Sequence, residues 1–181
     1  MLFQLATAAM KMRGLFIGRF QPVHKGHIFA ISYALNSVDE LVIGIGSAQY
    51  NYEFENPFTA GERIEMLRLA LKEEGLDLAR VCIVPIPDLH QHKLWVEWVE
   101  TLVPKFDVVF SNNPLVIMLF EARGYRVLRP RLIEREKYSG TEFRRRVAEG
   151  GNWKELVPNS VAEFLEKIGG IERIKLLSAK T

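Results

Sequence analysis

Apolar and polar positions fall in blocks along this chain, and the blocks predict its elements. Residues 14–18, GLFIG, form a short apolar run near the start that predicts a buried strand. Residues 28–38 carry helical spacing, with Ile28, Ile31, Ala34 and Leu35 on one face. ELVIGIG, 40–46, predicts a second buried strand, and the polar stretch 47–57 a loop. Residues 59–75 predict a helix opened by a Thr59–Glu62 capping box, striped by Ile64, Leu67 and Leu71, and stopped at Gly75. RVCIVPI, 80–86, reads as the third strand. Residues 92–103 read as a helix with Trp95, Trp98, Val99 and Leu102 on one side. FDVVFSNN, 106–113, reads as the fourth strand with its turn. Asn113 then caps a helix whose first residue is Pro114. YRVLRP, 125–130, is a fifth, shorter strand. Ser139 with Glu142 and Ser160 with Glu163 predict two more capping boxes, and 171–180 a last short helix.

Strands and helices thus alternate five times at spacings suited to βαβ units. Apolar strands of this kind imply a parallel sheet covered on both faces. The expected fold is α/β: a Rossmann-like open parallel five-stranded sheet with helices on both faces and a helical C-terminal segment. Residues 12–181 read as one domain. Residues 1–11 read as an N-terminal extension, disordered or not native, with Met12 an alternative start.

Composition narrows the function classes. Of 181 residues, 48% are hydrophobic and 25% charged, which argues against a disordered chain. A formal charge of +2 is a weak pointer to nucleic acid. The one cysteine, Cys82, excludes an internal disulfide and a cysteine-rich zinc site. Its apolar neighbours predict a buried structural thiol, and its solitude fits the cytoplasm. No run approaches the roughly 20 apolar residues of a membrane span. In the first dozen residues the basic residue follows the apolar run, against a secretory signal.

The chemistry gathers in GRFQPVHKGH, between the first strand and the first helix. Open parallel sheets bind ligands beyond the carboxyl ends of their strands. Backbone N–H groups at the helix start lack internal partners and attract anions. His24 and His27, three apart, allow three readings: a metal pair, a structural pair, or a phosphate site. Metal binding lacks a third ligand at good spacing. Phosphate is favoured because Arg19, Lys25 and the helix end share one sign of field, and Gly26 leaves the backbone open to approach. Neither the Gly-x-Gly-x-x-Gly fingerprint nor the P-loop is present. A second cluster, REKYSGTEFRRR, sets Ser139, Gly140, Thr141 and Arg144 at another helix start. Arg145 and Arg146 read as a solvated helix face.

These two segments carry a resemblance. GRFQPVHKGH matches the His-x-Gly-His signature of the nucleotidylyltransferase superfamily, and YSGTEFR its Ser-x-Thr-x-x-Arg signature, with Tyr138 where isoleucine is commoner. GSAQYNYEFENPFTAGER (46–63), Leu94–Trp95, SNNPLV (111–116) and the ending GGIERIKLL resemble the archaeal nicotinamide-nucleotide adenylyltransferase family. The resemblance runs from Met12 onward. It implies transfer of an adenylyl group from ATP to nicotinamide mononucleotide, giving NAD and pyrophosphate. It implies magnesium bound with ATP, no tightly held organic cofactor, no protein metal site, and neither nucleic acid nor membrane as partner. It implies a homo-oligomer, often a hexamer. It places His24 and His27 at the ATP phosphates, with Gly18, Arg19, Phe20, Gln21, Lys25 and Gly26 around the nucleotide. Ser139, Thr141 and Arg144 hold the β- and γ-phosphates. Trp95 stacks on the nicotinamide ring, with Asn112 also on the mononucleotide. Asp88 either orients that substrate or caps the following helix. His92 and Lys93 stand where relatives carry small polar groups.

Other readings stay open at this point. Phosphopantetheine adenylyltransferases and cytidylyltransferases share the two signatures. A non-catalytic nucleotide-binding or nucleic-acid-binding module would draw on the basic stretches RPRLIEREK and EFRRR.

Overall fold

A computed structural model describes residues 11–131 and 133–179. The expectation for the N-terminal extension falls on residues that, Lys11 apart, lie outside this range. Five strands, β1 (Arg13–Gly18), β2 (Glu40–Ile45), β3 (Val81–Pro85), β4 (Val108–Phe110) and β5 (Arg126–Leu128), form one sheet of order β3-β2-β1-β4-β5. Every pairing is parallel, with Gly14 opposite both Leu41 and Val108. The expected α/β fold is observed. The chain moves outward from β1 in one direction through β2 and β3, then returns to its other side for β4 and β5. The switch point therefore lies between the carboxyl ends of β1 and β4, where such sheets open a crevice.

Alternate residues of each strand feed two cores. Phe16, Ile43, Ile45 and Phe110 point to the face covered by α1 (Lys25–Leu35), α2 (Ala60–Glu73) and the C-terminal helices α5 (Gly140–Glu149), α6 (Asn159–Lys167) and α7 (Gly170–Ser178). Leu15, Val42 and Val109 point to the face of α3 (Trp95–Leu102) and α4 (Pro114–Ala122). Among the described residues no helix is long and apolar enough to cross a membrane.

Local signals were legible where the chemistry is simple. Thr59 and Glu62 form the full capping box of α2, and Asn113 caps α4 with Pro114 in its first turn. Four expectations are corrected. Cys82 is exposed, because β3 is an edge strand. The buried side of α3 is Val96 and Val99, with Trp95 and Trp98 flanking it half-buried. Ser139 caps α5, but Glu142 turns its carboxylate to Arg145 and Arg146, so the box is half made. Helix α6 begins one residue before Ser160 with no side-chain cap; Glu73 instead accepts from the Asn159 and Ser160 N–H groups at 3.1 and 2.8 Å.

Candidate active site

A cavity of about 360 Å³ opens at the switch point. Its walls come from the end of β1 and the turn into α1, from Ser111, Asn112 and Asn113 after β4, and from the start of α5. Segments more than a hundred residues apart thus share one space. Gly18, Arg19, Phe20, Gln21, His24, Gly26, His27, Asn112, Ser139, Thr141 and Arg144 all line it.

Two histidines stand side by side in its lining. His24 is the N-cap of α1 and His27 its third residue, and each Nδ1 accepts the other's backbone N–H, at 3.3 and 3.2 Å. This is a capping box made of imidazoles, and it starts α1 at Lys25, three residues before the apolar periodicity announced it. The rings stack at 3.6 Å. With Nδ1 engaged as acceptor, the single proton of each neutral ring sits on Nε2, the donor left for a ligand. Burial lowers the His24 pKa to about 3, and burial then the neighbouring His24 hold His27 well below its usual value. Phe20 backs the pair, its ring 4.6 Å from that of His27, on a backbone with φ 55, a region bulky residues rarely enter.

Arg144 reaches the same cavity from α5. It is 1% exposed and donates to Gln21 O at 2.9 Å and to Glu55 Oε2 at 2.8 Å. Burial lowers its pKa, and Glu55 opposes that shift. A Cβ on Gly140 would stand 2.8 Å from Gln21 O and 3.0 Å from Arg144 Nη1, so α5 docks here only through a glycine. Gly26 works the same way: its Cβ would meet Tyr138 Cβ at 3.0 Å and His24 Nδ1 at 3.1 Å. Arg145 and Arg146 point elsewhere, paired with Glu142, Glu149 and Glu155, a compensated outer face.

Three of the expected residues do not line this cavity. Lys25 lines a separate hollow of about 310 Å³ beside α1 with Phe29 and Tyr138. Trp95 and Asp88 line a second pocket of about 280 Å³ with His90, His92 and Val116. Asp88 does not cap α3. Its carboxylate accepts from Ser47 N and Oγ at 3.2 and 2.8 Å, fastening the end of β2 to the loop after β3. Trp95 packs edge-on against Phe120, 5.6 Å away, while Trp98 Nε1 donates to Pro87 O.

With this geometry in place, comparison with known proteins is decisive. Residues 15–146 match the cytidylyltransferase-like family. The nicotinamide-nucleotide adenylyltransferase of Pyrococcus furiosus is 52% identical over 167 residues, 92% of this chain and 89% of that protein. The chain belongs to the nicotinamide-nucleotide adenylyltransferase family. A relative of the same description from Pyrobaculum neutrophilum is 50% identical over 168 residues, 92% of this chain and 94% of that protein. Among solved structures, a bifunctional NMN adenylyltransferase/ADP ribose pyrophosphatase of Francisella tularensis, complexed with AMP and manganese, superposes with a TM-score of 0.78 at 27% identity. That match covers 94% of this chain, which spans about half (52%) of the bifunctional protein.

Arg63 escaped the sequence reading. It is fully buried, yet stands beside the Ile64, Leu67 and Leu71 stripe by which α2 was recognised. Its guanidinium donates to five carbonyls: Thr59, Arg19, Gly46, Ser47 and Ala48. Burial lowers its pKa to about 10. A charged residue one place off an apolar stripe was the available signal. Ser111 also escaped; it is buried at the cavity wall, its Oγ accepting from Asn113 N.

Proposed function

We infer that this protein transfers the adenylyl group of ATP to nicotinamide mononucleotide, forming NAD and releasing pyrophosphate. One observation carries the reading: the histidine pair and Arg144, from opposite ends of the chain, line a single cavity at the switch point of the sheet. Family membership supplies the acceptor.

The attacking group is a phosphate oxygen of the mononucleotide, already ionised near neutral pH. It forms a bond to the α-phosphorus while the bond from that phosphorus to the α,β-bridging oxygen breaks, in line, and pyrophosphate leaves with the electron pair. No proton must be removed from the nucleophile. Neutral imidazoles suit this, since they serve as Nε2–H donors rather than as bases. His24 and His27 would stabilise charge around the α-phosphate. Arg144, Ser139, Thr141 and the α5 N-terminus would hold the β- and γ-phosphates. Gly18, Arg19, Phe20, Gln21 and Gly26 enclose the nucleotide, with Lys25 adding field from outside the cavity. Trp95, Asp88 and Asn112 take the mononucleotide. Catalysis is then placement plus electrostatics.

The cavity offers imidazole, guanidinium and backbone N–H donors, which complement phosphate oxygens rather than a cation. Magnesium would therefore enter on the triphosphate, whose charge it partly neutralises. Residues 12–181 act as one domain in this reading, in the cytoplasm and as a homo-oligomer of six copies; exposed Phe29, Tyr33, Leu115 and Met118 support association, and light scattering measures its size.

The deciding experiment incubates the protein with ATP, magnesium and either nicotinamide or nicotinate mononucleotide, and follows dinucleotide formation. NAD formation is expected. Pyrophosphate release only with phosphopantetheine, or nucleotide binding without turnover, would overturn the reading.

A further inference from the structure

The Arg144 guanidinium is incompletely satisfied. Nη1 has Gln21 O and Nη2 has Glu55, but Nε is buried with no partner. A buried cation with an idle N–H is costly, and that cost is relieved by any anion that engages it better. The side chain of Arg144 is 2% exposed, whereas that of Glu55 is 62% exposed. Glu55 thus keeps most of its water, so leaving costs the carboxylate little, whereas the buried guanidinium needs another anion in its place.

The segment that carries Glu55 is held around the carboxylate rather than through it: Arg173 donates to Pro57 O at 3.0 Å and lies over the Tyr52 ring. One end is clasped by reciprocal amide bonds between Gln21 and Phe58, both 2.9 Å. The other is held where Arg63 grips the Ser47 and Ala48 carbonyls. Between these anchors the backbone bonds at the tip are local, Glu53 with Asn56 in both directions. Phe54 lies over Arg144, its ring centre 5.9 Å from the guanidinium carbon.

We propose that Glu55 is a stand-in for a nucleotide phosphate: it holds Arg144 in the unliganded protein, is displaced by the triphosphate, and returns to help expel pyrophosphate. This rests on the reading that Arg144 receives the phosphates of ATP. The carboxylate then sets nucleotide affinity by competing for one guanidinium, and a monophosphate that does not reach Arg144 is indifferent to it.

Calorimetric titration of the full chain with magnesium–ATP and with AMP, without mononucleotide, tests the proposal. Glu55→Gln is expected to tighten ATP binding about three- to tenfold while leaving AMP within about twofold. In an Arg144→Met background, or Arg144→Lys if the former does not fold, the same substitution is expected to lose most of that gain. Unchanged or weaker ATP binding in Glu55→Gln, with Arg144→Met still weakening it, overturns the role of Glu55 alone. Unchanged ATP binding in Arg144→Met overturns the placement of the phosphates, and the proposal with it.

Discussion

His24 and His27 cap one another across the first turn of α1, each imidazole Nδ1 accepting the other's backbone N–H. Protonating either Nδ1 breaks a cap, which adds to the burial that already disfavours charge. The His24 pKa lies at about 3, against 6.5 for an ordinary histidine, so between these values the unfolded chain binds more protons than the folded one. Stability rises with pH in that window: the contribution is complete above 6.5 and is lost as pH falls. The slope expected is up to about 1.4 kcal/mol per pH unit for each histidine. Urea unfolding between pH 5 and 7.5 measures it, above the range where most carboxylates titrate. His24→Asn keeps a capping side chain and should reduce the slope; an identical slope would mean that His24 binds its proton alike in the folded and unfolded chain.

The same pair bears on turnover. In the proposed reaction the Nε2–H groups donate to developing phosphate charge, so His27→Ala should lower kcat far more than it raises KM for ATP, a loss of about 2–4 kcal/mol in transition-state terms. Steady-state kinetics with ATP varied at saturating mononucleotide separates the two constants. A normal kcat would remove His27 from the reaction.

Gly140 leaves no room for a methyl group between Gln21 O and Arg144 Nη1, 2.8 and 3.0 Å from its ideal Cβ. Gly140→Ala must push α5 away from the β1–α1 turn, which overpacking data place at about 1–3 kcal/mol of stability. ATP affinity should fall with it, since Arg144 moves with α5. A variant with wild-type melting temperature and wild-type KM for ATP would show that the docking tolerates a shift.

Trp95 and Trp98 differ although both are half-buried. Trp98 spends its indole N–H on Pro87 O, whereas Trp95 stands in the pocket beside Asp88 and His92. Adding nicotinamide mononucleotide should quench fluorescence in wild type and in Trp98→Phe, and lose most of that quench in Trp95→Phe. Equal quenching in all three would place the acceptor elsewhere.

These contrasts mark how far residue patterns reach. The five strands and the α2 and α4 caps were legible because strand apolarity and Thr-x-x-Glu or Asn-Pro signals are local. That His24, His27, Ser139, Thr141 and Arg144 line one cavity agrees with the resemblance of their two segments to the paired signatures of one superfamily. The start of α1 was not legible, since histidine is an unusual cap and the turn before it is apolar. Nor was the exposure of Cys82, which depends on β3 being an edge, a fact of sheet order rather than of the strand itself. The partners of Asp88 and Arg144 lie 39 to 123 residues away and follow only from the closed topology.

Arg63 is the least local case and gives the severest substitution. Its guanidinium gathers carbonyls from the end of β1, the end of β2 and the start of α2, with no ion pair among the described residues. Those carbonyls cannot pair with one another, because all are acceptors. Arg63→Met would leave up to five of them without this donor inside the fold, a cost of about 3 kcal/mol or more even after some rehydration. Lysine offers three donors from a point rather than a planar fork, so Arg63→Lys should recover only part of the loss. Because Arg19 and Ser47 hang from this hub, KM should rise for both ATP and the mononucleotide at temperatures where the variant is still folded. Thermal melts with paired kinetics check both statements, and a variant that loses stability while keeping both KM values would confine Arg63 to folding.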